Sequence, residues 1–569
     1  MLFDVGNFMN FVKLVGINGR YTHSCLALFY LRNELEKQCP DWPVEIIQLT
    51  INDNYFESLL RVSSNNPKYI FFSAAIWNSE LVEKFTRDLE VCLPDCHVVI
   101  GGPQASVLYE KLETSNYSVL EGAIEAVGDD FYSALKESTL KKKYVANFFK
   151  NQDRAFDYPY RNSDFDIHLA NRHLYYESSR GCLFGCSYCL SSVEKGVYHK
   201  PLEIVKDELR DILAHQPKVV RFIDRTFNDV PKRALAIWEF LLKEGGETLF
   251  HFEMAPDRFT DEMFEFLKRV GPGKFQFEIG IQSTNHATLE AVNRPVDSTV
   301  VHKTIQQLSS IGTIHLHVDL ILGLPHETKE TFAKSFTDVF FMGANYIQMG
   351  LLKILPETPL CYSAMEYEYK HSLIPPYSVL ENHWMDYETI QDLYWFSECV
   401  EKFMNNRYFV FLWVYFRKSG EDIYAFFREL LTICIDTNFF SYAATHELMS
   451  EKLITLCEKR HDNNLIRELL RIDWLRCNHR FLPASLVPDK HCEQPLETKN
   501  ILVNSLPEEL EGYFTRKSRN RFFRKSFFLR ISKKSAIEIG LQVKNDQPVL
   551  CFLSDREDGL YTYSKILVL

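Results

Sequence analysis

The sequence predicts an α/β protein in three parts: a doubly wound, Rossmann-like N-terminal domain, a (β/α)6 partial TIM-type barrel, and a mixed, mostly helical C-terminal domain. Three observations carry this. The chain has 569 residues, too many for one hydrophobic core. Short apolar runs alternate with helical spacing in two successive blocks, which is the pattern of parallel sheets covered by helices. Beyond residue 384 that alternation gives way to long helical stretches.

The first block covers residues 1–150. Strands are expected at Phe11–Ile17, Val44–Leu49, Tyr69–Ala74 and His97–Gly102, with a helix from Ser24 to Lys37. Ligands of such sheets sit beyond the C-terminal strand ends. Here those ends carry Asn18, Gly19, Ser73 and the Gly101-Gly102-Pro103 turn, whose paired glycines let backbone approach a bulky ligand. Residues 151–175, polar, aromatic and Pro-containing, read as a linker between domains.

The second block covers residues 176–384, its first strand starting at Leu174. Strands are expected at Leu174–Ser178, Val219–Ile223, Leu249–Glu253, Lys274–Ile281, His315–Leu322 and Tyr346–Leu352. Six βα units make a partial or full barrel with its site at the C-terminal strand ends. In the third block, 385–569, helices are expected over Tyr387–Asn406, Ile423–Thr437, Ser441–Lys459 and Asn464–Ile472, and strands over Phe527–Ile531 and Pro548–Leu553.

The formal net charge of -12 gives no general affinity for nucleic acid or anionic membrane. No stretch approaches a membrane-spanning apolar run, and the start has no basic n-region or small-residue cleavage site. A cytoplasmic location without membrane association is expected. Of 14 cysteines, most stand alone in apolar stretches. Cys92, Cys434 and Cys551 are expected to be buried small hydrophobes in a reducing compartment.

One group of cysteines has a spacing that demands chemistry. Ser179-Arg180-Gly181-Cys182-Leu183-Phe184-Gly185-Cys186-Ser187-Tyr188-Cys189 is a C-x3-C-x2-C loop directly after the first barrel strand. Three thiolates on one short loop can each reach a different iron of a cubane, leaving the fourth iron open for chemistry. Structural zinc would need a fourth Cys or His, and neither His173 nor His199 has ligand spacing. A disulfide would leave an odd cysteine.

This loop, with Tyr188 before its last cysteine, resembles the signature of the radical S-adenosylmethionine (SAM) superfamily, which implies that Tyr188 contacts SAM. The resemblance implies a [4Fe–4S] cluster on Cys182, Cys186 and Cys189, SAM chelated to the open iron, and reductive cleavage to a 5′-deoxyadenosyl radical. It also implies an electron donor such as flavodoxin or ferredoxin. Phe277–Ser283 resembles the fourth-strand motif, implying that Glu278 and Gln282 face SAM. Arg294 stands where a related subgroup holds the SAM carboxylate, and Asp319 in Asp319–Pro325 where the family packs the adenine. The family often holds the SAM amino group on Gly-Gly-Glu after the second strand. Gly245-Gly246-Glu247 lies instead before the third strand, as a helix C-terminal turn. Asp224, ending the second strand, is the candidate for that role.

The front block resembles the cobalamin-binding domain found before some radical SAM barrels, through Gly101–Ser106 and Gly16–Ser24. The resemblance extends to a group whose C-terminal domain has no known function, introduced here by Leu373–Tyr377 and Trp384-Met385. It implies cobalamin contacts at Asn18, Ser73, Gly101 and Gly102. The cobalt-ligating D-x-H-x-x-G is absent, since Asp95-Cys96-His97 runs on into Val98-Val99-Ile100. Glu121-Gly122-Ala123-Ile124-Glu125 replaces a usual Gly-Glu-Gly-Glu. The second-cluster pattern of methylthiotransferases does not fit Cys25, Cys39, Cys92 and Cys96.

The reading that results is cobalamin-dependent methyl transfer to an unactivated centre of an unidentified small-molecule or peptide substrate. A radical cyclisation or rearrangement is the enzymatic alternative, and a cluster-retaining RNA-binding or scaffold protein the alternative from another class. The last would use Tyr513–Lys534, where nine basic residues interleave with phenylalanines. In an acidic chain that stretch reads as a solvated amphipathic surface, and nucleic acid is not an expected partner.

Overall fold

A computed structural model describes residues 10–150, 155–479, 481–487, 526–553 and 565–568. The front sheet is six-stranded and wholly parallel: β1 (Val12–Asn18), β2 (Val44–Thr50), β3 (Tyr69–Ser73), β4 (His97–Gly101), β5 (Tyr117–Glu121) and β6 (Lys143–Val145), in the order β2-β1-β3-β4-β5-β6. Every residue of β1 is buried, which is why the strand reads as an apolar run without alternation. The order reverses between β1 and β3, so their C-terminal ends open a crevice. Two strands escaped the sequence. In β5, Ser118 interrupts the apolar run, and β6 is a three-residue edge with only Tyr144 buried.

The expected linker is a strap. It carries a helix, Asn162–Ile167, pinned to the front domain by two hydrogen bonds of 2.6 and 2.7 Å from buried Arg32 to Asp164.

The second sheet has six parallel strands: β7 (Leu174–Tyr176), β10 (Val219–Phe222), β11 (Leu249–Met254), β12 (Phe275–Gln282), β13 (His315–Leu322) and β14 (Tyr346–Leu351). Their order, β14-β13-β12-β11-β10-β7, follows the chain and ends on two open edges. This is a half-barrel, as the six βα units predict. Its helix-facing side is packed with aromatics: Trp238, from the helix Pro231–Glu244, stacks on Phe277 at 5.2 Å and lies against Phe275 at 5.8 Å. A hairpin, β8 (Ser179–Cys182) and β9 (Gly196–His199), leaves the top of β7.

The C-terminal part is helical: Tyr387–Val400 running into a π-turn Glu401–Asn405, then Val410–Ser419, Ile423–Asp436, His446–Cys457 and Asn463–Arg476. Val410–Ser419 was not expected, because its aromatic and β-branched residues have strand propensity. An antiparallel sheet of Ser526–Arg530, Val549–Leu553 and Lys565–Val568 follows. Of the basic stretch, residues 513–525 lie outside the described residues. Cys434 and Cys551 are buried as expected, but Cys92 is exposed at a helix end. No described helix is long and apolar enough to cross a membrane.

Candidate active site

The three-cysteine loop is braced from four directions. Below it, Asp224 accepts hydrogen bonds from the Ser178 amide (3.0 Å) and from the Ser178 and Ser179 hydroxyls (2.6 Å each). At Gly181, φ is +95°, and an added Cβ would lie 2.1 Å from the Gly196 carbonyl oxygen across the hairpin, so only glycine fits. On one flank the Ser187 amide donates to the Val292 carbonyl (3.0 Å), and the Asn293 side chain to the Gly185 carbonyl (2.8 Å). On the other, the Leu360 amide donates to the Ser187 carbonyl at 2.8 Å.

Cys182, Cys186 and Cys189 all line one cavity of about 170 Å³ above the strand ends. Thr226 stands 3.7 Å from the Cys182 sulfur. Among the described residues no three Cys, His, Asp or Glu side chains are close enough to chelate a single metal ion. Three thiols lining one cavity from one short loop suit a cubane, which takes each thiolate on a different iron.

The same cavity is lined by Tyr188, Glu278, Gln282, Arg294 and Asp319, five of the six residues expected around SAM. A β-bulge between Gly280 and Gln282 puts Gln282 at φ +71°, a conformation rare outside glycine and concentrated at functional sites. Gln282 folds back over Gly280, where an added Cβ would lie 2.1 Å from its amide nitrogen. Arg294 donates to the Gly280 carbonyl (2.6 Å) and reaches the Cys186 sulfur (3.4 Å), while its Nε is buried without a partner.

The carboxylates differ sharply. A hydrogen bond from His251 (3.2 Å) holds Glu278 below its ordinary range. Asp319 is pushed well above its ordinary range by burial and then by Glu278, and its Oδ1 is buried without a partner. Burial also raises Tyr188, with Cys186 adding to it. Paired carboxyl groups with divergent protonation mark a site built for a ligand.

Asp224, the sixth expected SAM contact, does not line the cavity. It is 1 % exposed and its oxygens are taken by the two serines. The cavity's second-shelf carboxyl is Glu253 on β11, raised to about 7 by burial despite Arg225 beside it. The sequence hid Glu253 inside the strand Leu249–Met254, where nothing marks it as different from a strand-capping acid.

A second cavity, of about 210 Å³, opens at the front sheet's crevice, between the helix Leu26–Gln38 and the ends of β3, β4 and β5. Leu28, Leu31, Phe71 and Val99 make it apolar, and Ser73, Gly101 and Gly102 lie on its wall. Asn18, also expected there, is buried elsewhere and faces Gln48 at 3.3 Å. The two glycines are not equivalent. Gly102 has φ +94° and a Cβ there would meet the Ala74 carbonyl oxygen at 2.5 Å, whereas a Cβ on Gly101 would meet nothing closer than 3.8 Å. The cavity also touches Glu125 and Arg180, so it reaches the strand that leads into the cysteine loop. His23, outside any motif in the sequence, is bonded to the Tyr175 hydroxyl on β7.

Comparison with known proteins agrees with this geometry. Residues 176–339 match the radical SAM superfamily, and residues 365–546 match a protein family of unknown function, DUF4080. An uncharacterized methyltransferase of Pyrococcus horikoshii is 26 % identical over 419 residues, covering 68 % of this chain and 87 % of that protein. The cobalamin-dependent radical SAM methyltransferase TokK of Streptomyces tokunonensis is 27 % identical over 193 residues, 32 % of this chain and 28 % of that protein. The fold resembles the cobalamin-dependent radical enzyme OxsB with aqua-cobalamin bound (TM-score 0.55, 15 % identity, 82 % of this chain and 80 % of that one). It also resembles the radical SAM methyltransferase TsrM of Kitasatospora setae with cobalamin and a [4Fe-4S] cluster bound (TM-score 0.51, 17 % identity, 62 % and 77 %).

Proposed function

We propose that the chain, whose residues 176–339 match the radical SAM superfamily, is an enzyme that transfers a methyl group to an unactivated centre with the help of cobalamin. One observation supports the reading: Arg180 lines the apolar front cavity and lies two residues before Cys182, which lines the three-cysteine cavity.

In this reading Cys182, Cys186 and Cys189 hold the cluster, and cobalamin occupies the crevice against Ser73 and Gly101. When bound, the cluster supplies the electron that cleaves SAM and cobalamin supplies a methyl carrier. The protein's own part is positioning. Tyr188, Gln282 and Arg294 stand beside the thiols, and Arg294 offers its unpartnered Nε to an anionic group such as a carboxylate. Glu278, held low by its hydrogen bond from His251, is placed to accept from an amine or hydroxyl, and Asp319, raised by burial, is the better placed of the two to donate. The apolar front cavity would keep water away from a bulky apolar ring held there. No step needs a cobalt-ligating histidine, in keeping with the missing motif.

The test is product analysis. Anaerobically reconstituted protein, given reductant and methyl-labelled SAM, is expected to form 5′-deoxyadenosine, and S-adenosylhomocysteine only when cobalamin is added. 5′-Deoxyadenosine alone, with or without cobalamin, would move the assignment to cyclisation or rearrangement.

A further inference from the structure

Closed barrels fill their interior with branched apolar side chains. Here the inner face of the half-barrel is polar, and along β12 and β13 it is only half-buried. Along β12 and β13, buried and half-buried residues alternate without a break. The buried set, Phe275, Phe277, Ile279, Leu316, Val318 and Leu320, belongs to the core. The half-buried set is Gln276, Glu278, His315, His317 and Asp319. These inner residues touch one another: Gln276 lies 2.7 Å from His317, His251 lies 3.2 Å from Glu278, and the rings of His315 and His317 are 4.5 Å apart.

The inner face continues to β11, β10 and β7 through the register Gln276↔His251↔Arg221↔Tyr175. Arg221 is the exception in this network. Its guanidinium has no hydrogen bond or ion pair among the described residues, and its Nε is buried without a partner. The Nδ1 of His251, a residue only 3 % exposed, is also buried and unpartnered. Beyond Tyr175 stands His23 from the front domain, with its ring 5.6 Å from that of His173.

The nearby acids do not neutralise Arg221. Glu278 is hydrogen-bonded to His251, and burial raises Glu253 to about 7 and Asp319 well above its ordinary range. His23 and His173 are held below their ordinary range, His173 at about 4, by burial and then by Arg221 itself. They stand by as neutral hydrogen-bonding groups. What remains is a half-buried guanidinium with no hydrogen-bonded or ion-paired acid among the described residues, which is a place for an anion.

We propose that Arg221, flanked by Tyr175, His23 and His251, receives a carboxylate or phosphate group of a small polar substrate. The proposal rests on the radical SAM reading and deepens it by naming the substrate class. Arg221 is paired in register with His251, two residues before Glu253 in the cysteine cavity, so its backbone stands roughly 7 Å below that of Glu253.

The probes are inorganic phosphate and succinate, titrated calorimetrically into the cluster-loaded protein without SAM or reductant. The wild type is expected to bind at least one of them, and the stronger of the two identifies the group. Arg221→Gln is expected to weaken that binding by at least about tenfold, the loss typical of one charge-assisted pair. Arg221→Lys should retain most of it, and Arg210→Gln, at an exposed arginine paired with Asp207, should change nothing. Iron content and circular dichroism confirm that each variant is folded. Binding of neither anion to the wild type, or equal binding to Arg221→Gln, overturns the proposal. Because no turnover is read, failure here is separate from failure to cleave SAM.

Discussion

Arg180 and Glu125 meet across the boundary between the front sheet and the cysteine loop, with the guanidinium Nη2 3.1 Å from the Glu125 carboxylate and 2.7 Å from that of Glu177. Arg180 is also stacked over Phe156 at 4.3 Å and Phe148 at 4.8 Å. Two residues further on is Cys182. The contact fixes how the front cavity sits against the site of the thiols. Arg180→Ala would leave two carboxylates without their cation, and a cost of about 3 kcal/mol is expected. Urea unfolding of the protein as isolated measures it. Arg180→Lys, which keeps the charge but loses the fork, should cost less and still lower cobalamin retention.

Gly181→Ala tests the hairpin. With φ at +95° and the Gly196 carbonyl in the way, the substitution must shift β8 against β9 at a cost of about 2 kcal/mol or more. Iron content after anaerobic reconstitution is expected to fall, while the front sheet, and with it cobalamin uptake, is kept.

The two front glycines make a matched pair. Gly101→Leu places its side chain where the backbone has room, and is expected to abolish cobalamin uptake, read by its visible absorption, with little change in thermal stability. Gly102→Ala strains the turn against Ala74 and is expected to lower stability as well. Unimpaired uptake by Gly101→Leu would remove cobalamin from this crevice.

Glu253 gives a pH signature. Its carboxyl binds protons more tightly folded, at about 7, than unfolded, near 4.5. Between those values the native state therefore holds the extra proton, and stability falls as pH rises through the window. Glu253→Gln should flatten that decline by about 2 kcal/mol between pH 4.5 and 7, measured by chemical denaturation without SAM. An unchanged slope would mean that Glu253 ionises normally.

The half-barrel was legible because each strand carries an apolar stripe and each connection is helical. The cluster loop was legible because ligand spacing is local. Asp224 misled, since nothing in Phe222–Phe227 reveals that Ser178 and Ser179, more than 40 residues earlier, claim its oxygens. Glu253 was hidden for the converse reason, as an ordinary strand residue whose role depends on what the barrel curls around. Arg180 and Glu125 are 55 residues apart, with no local signal linking them. The polar lumen was written in the alternation of His315, His317 and Asp319, but only burial separates an inner face wet enough for substrate from a packed one.

The central claim is that Cys182, Cys186 and Cys189 hold a [4Fe–4S] cluster at which SAM is cleaved. Its most direct test is iron content and reductive SAM cleavage in the wild type beside the three single alanine variants, with Cys434→Ala, a buried cysteine in the C-terminal part, as control. The wild type and Cys434→Ala are expected to carry about four irons per chain and to form 5′-deoxyadenosine, and each of the three loop variants to lose iron and all cleavage. A triple alanine variant of the loop that still held four irons and cleaved SAM would contradict the account.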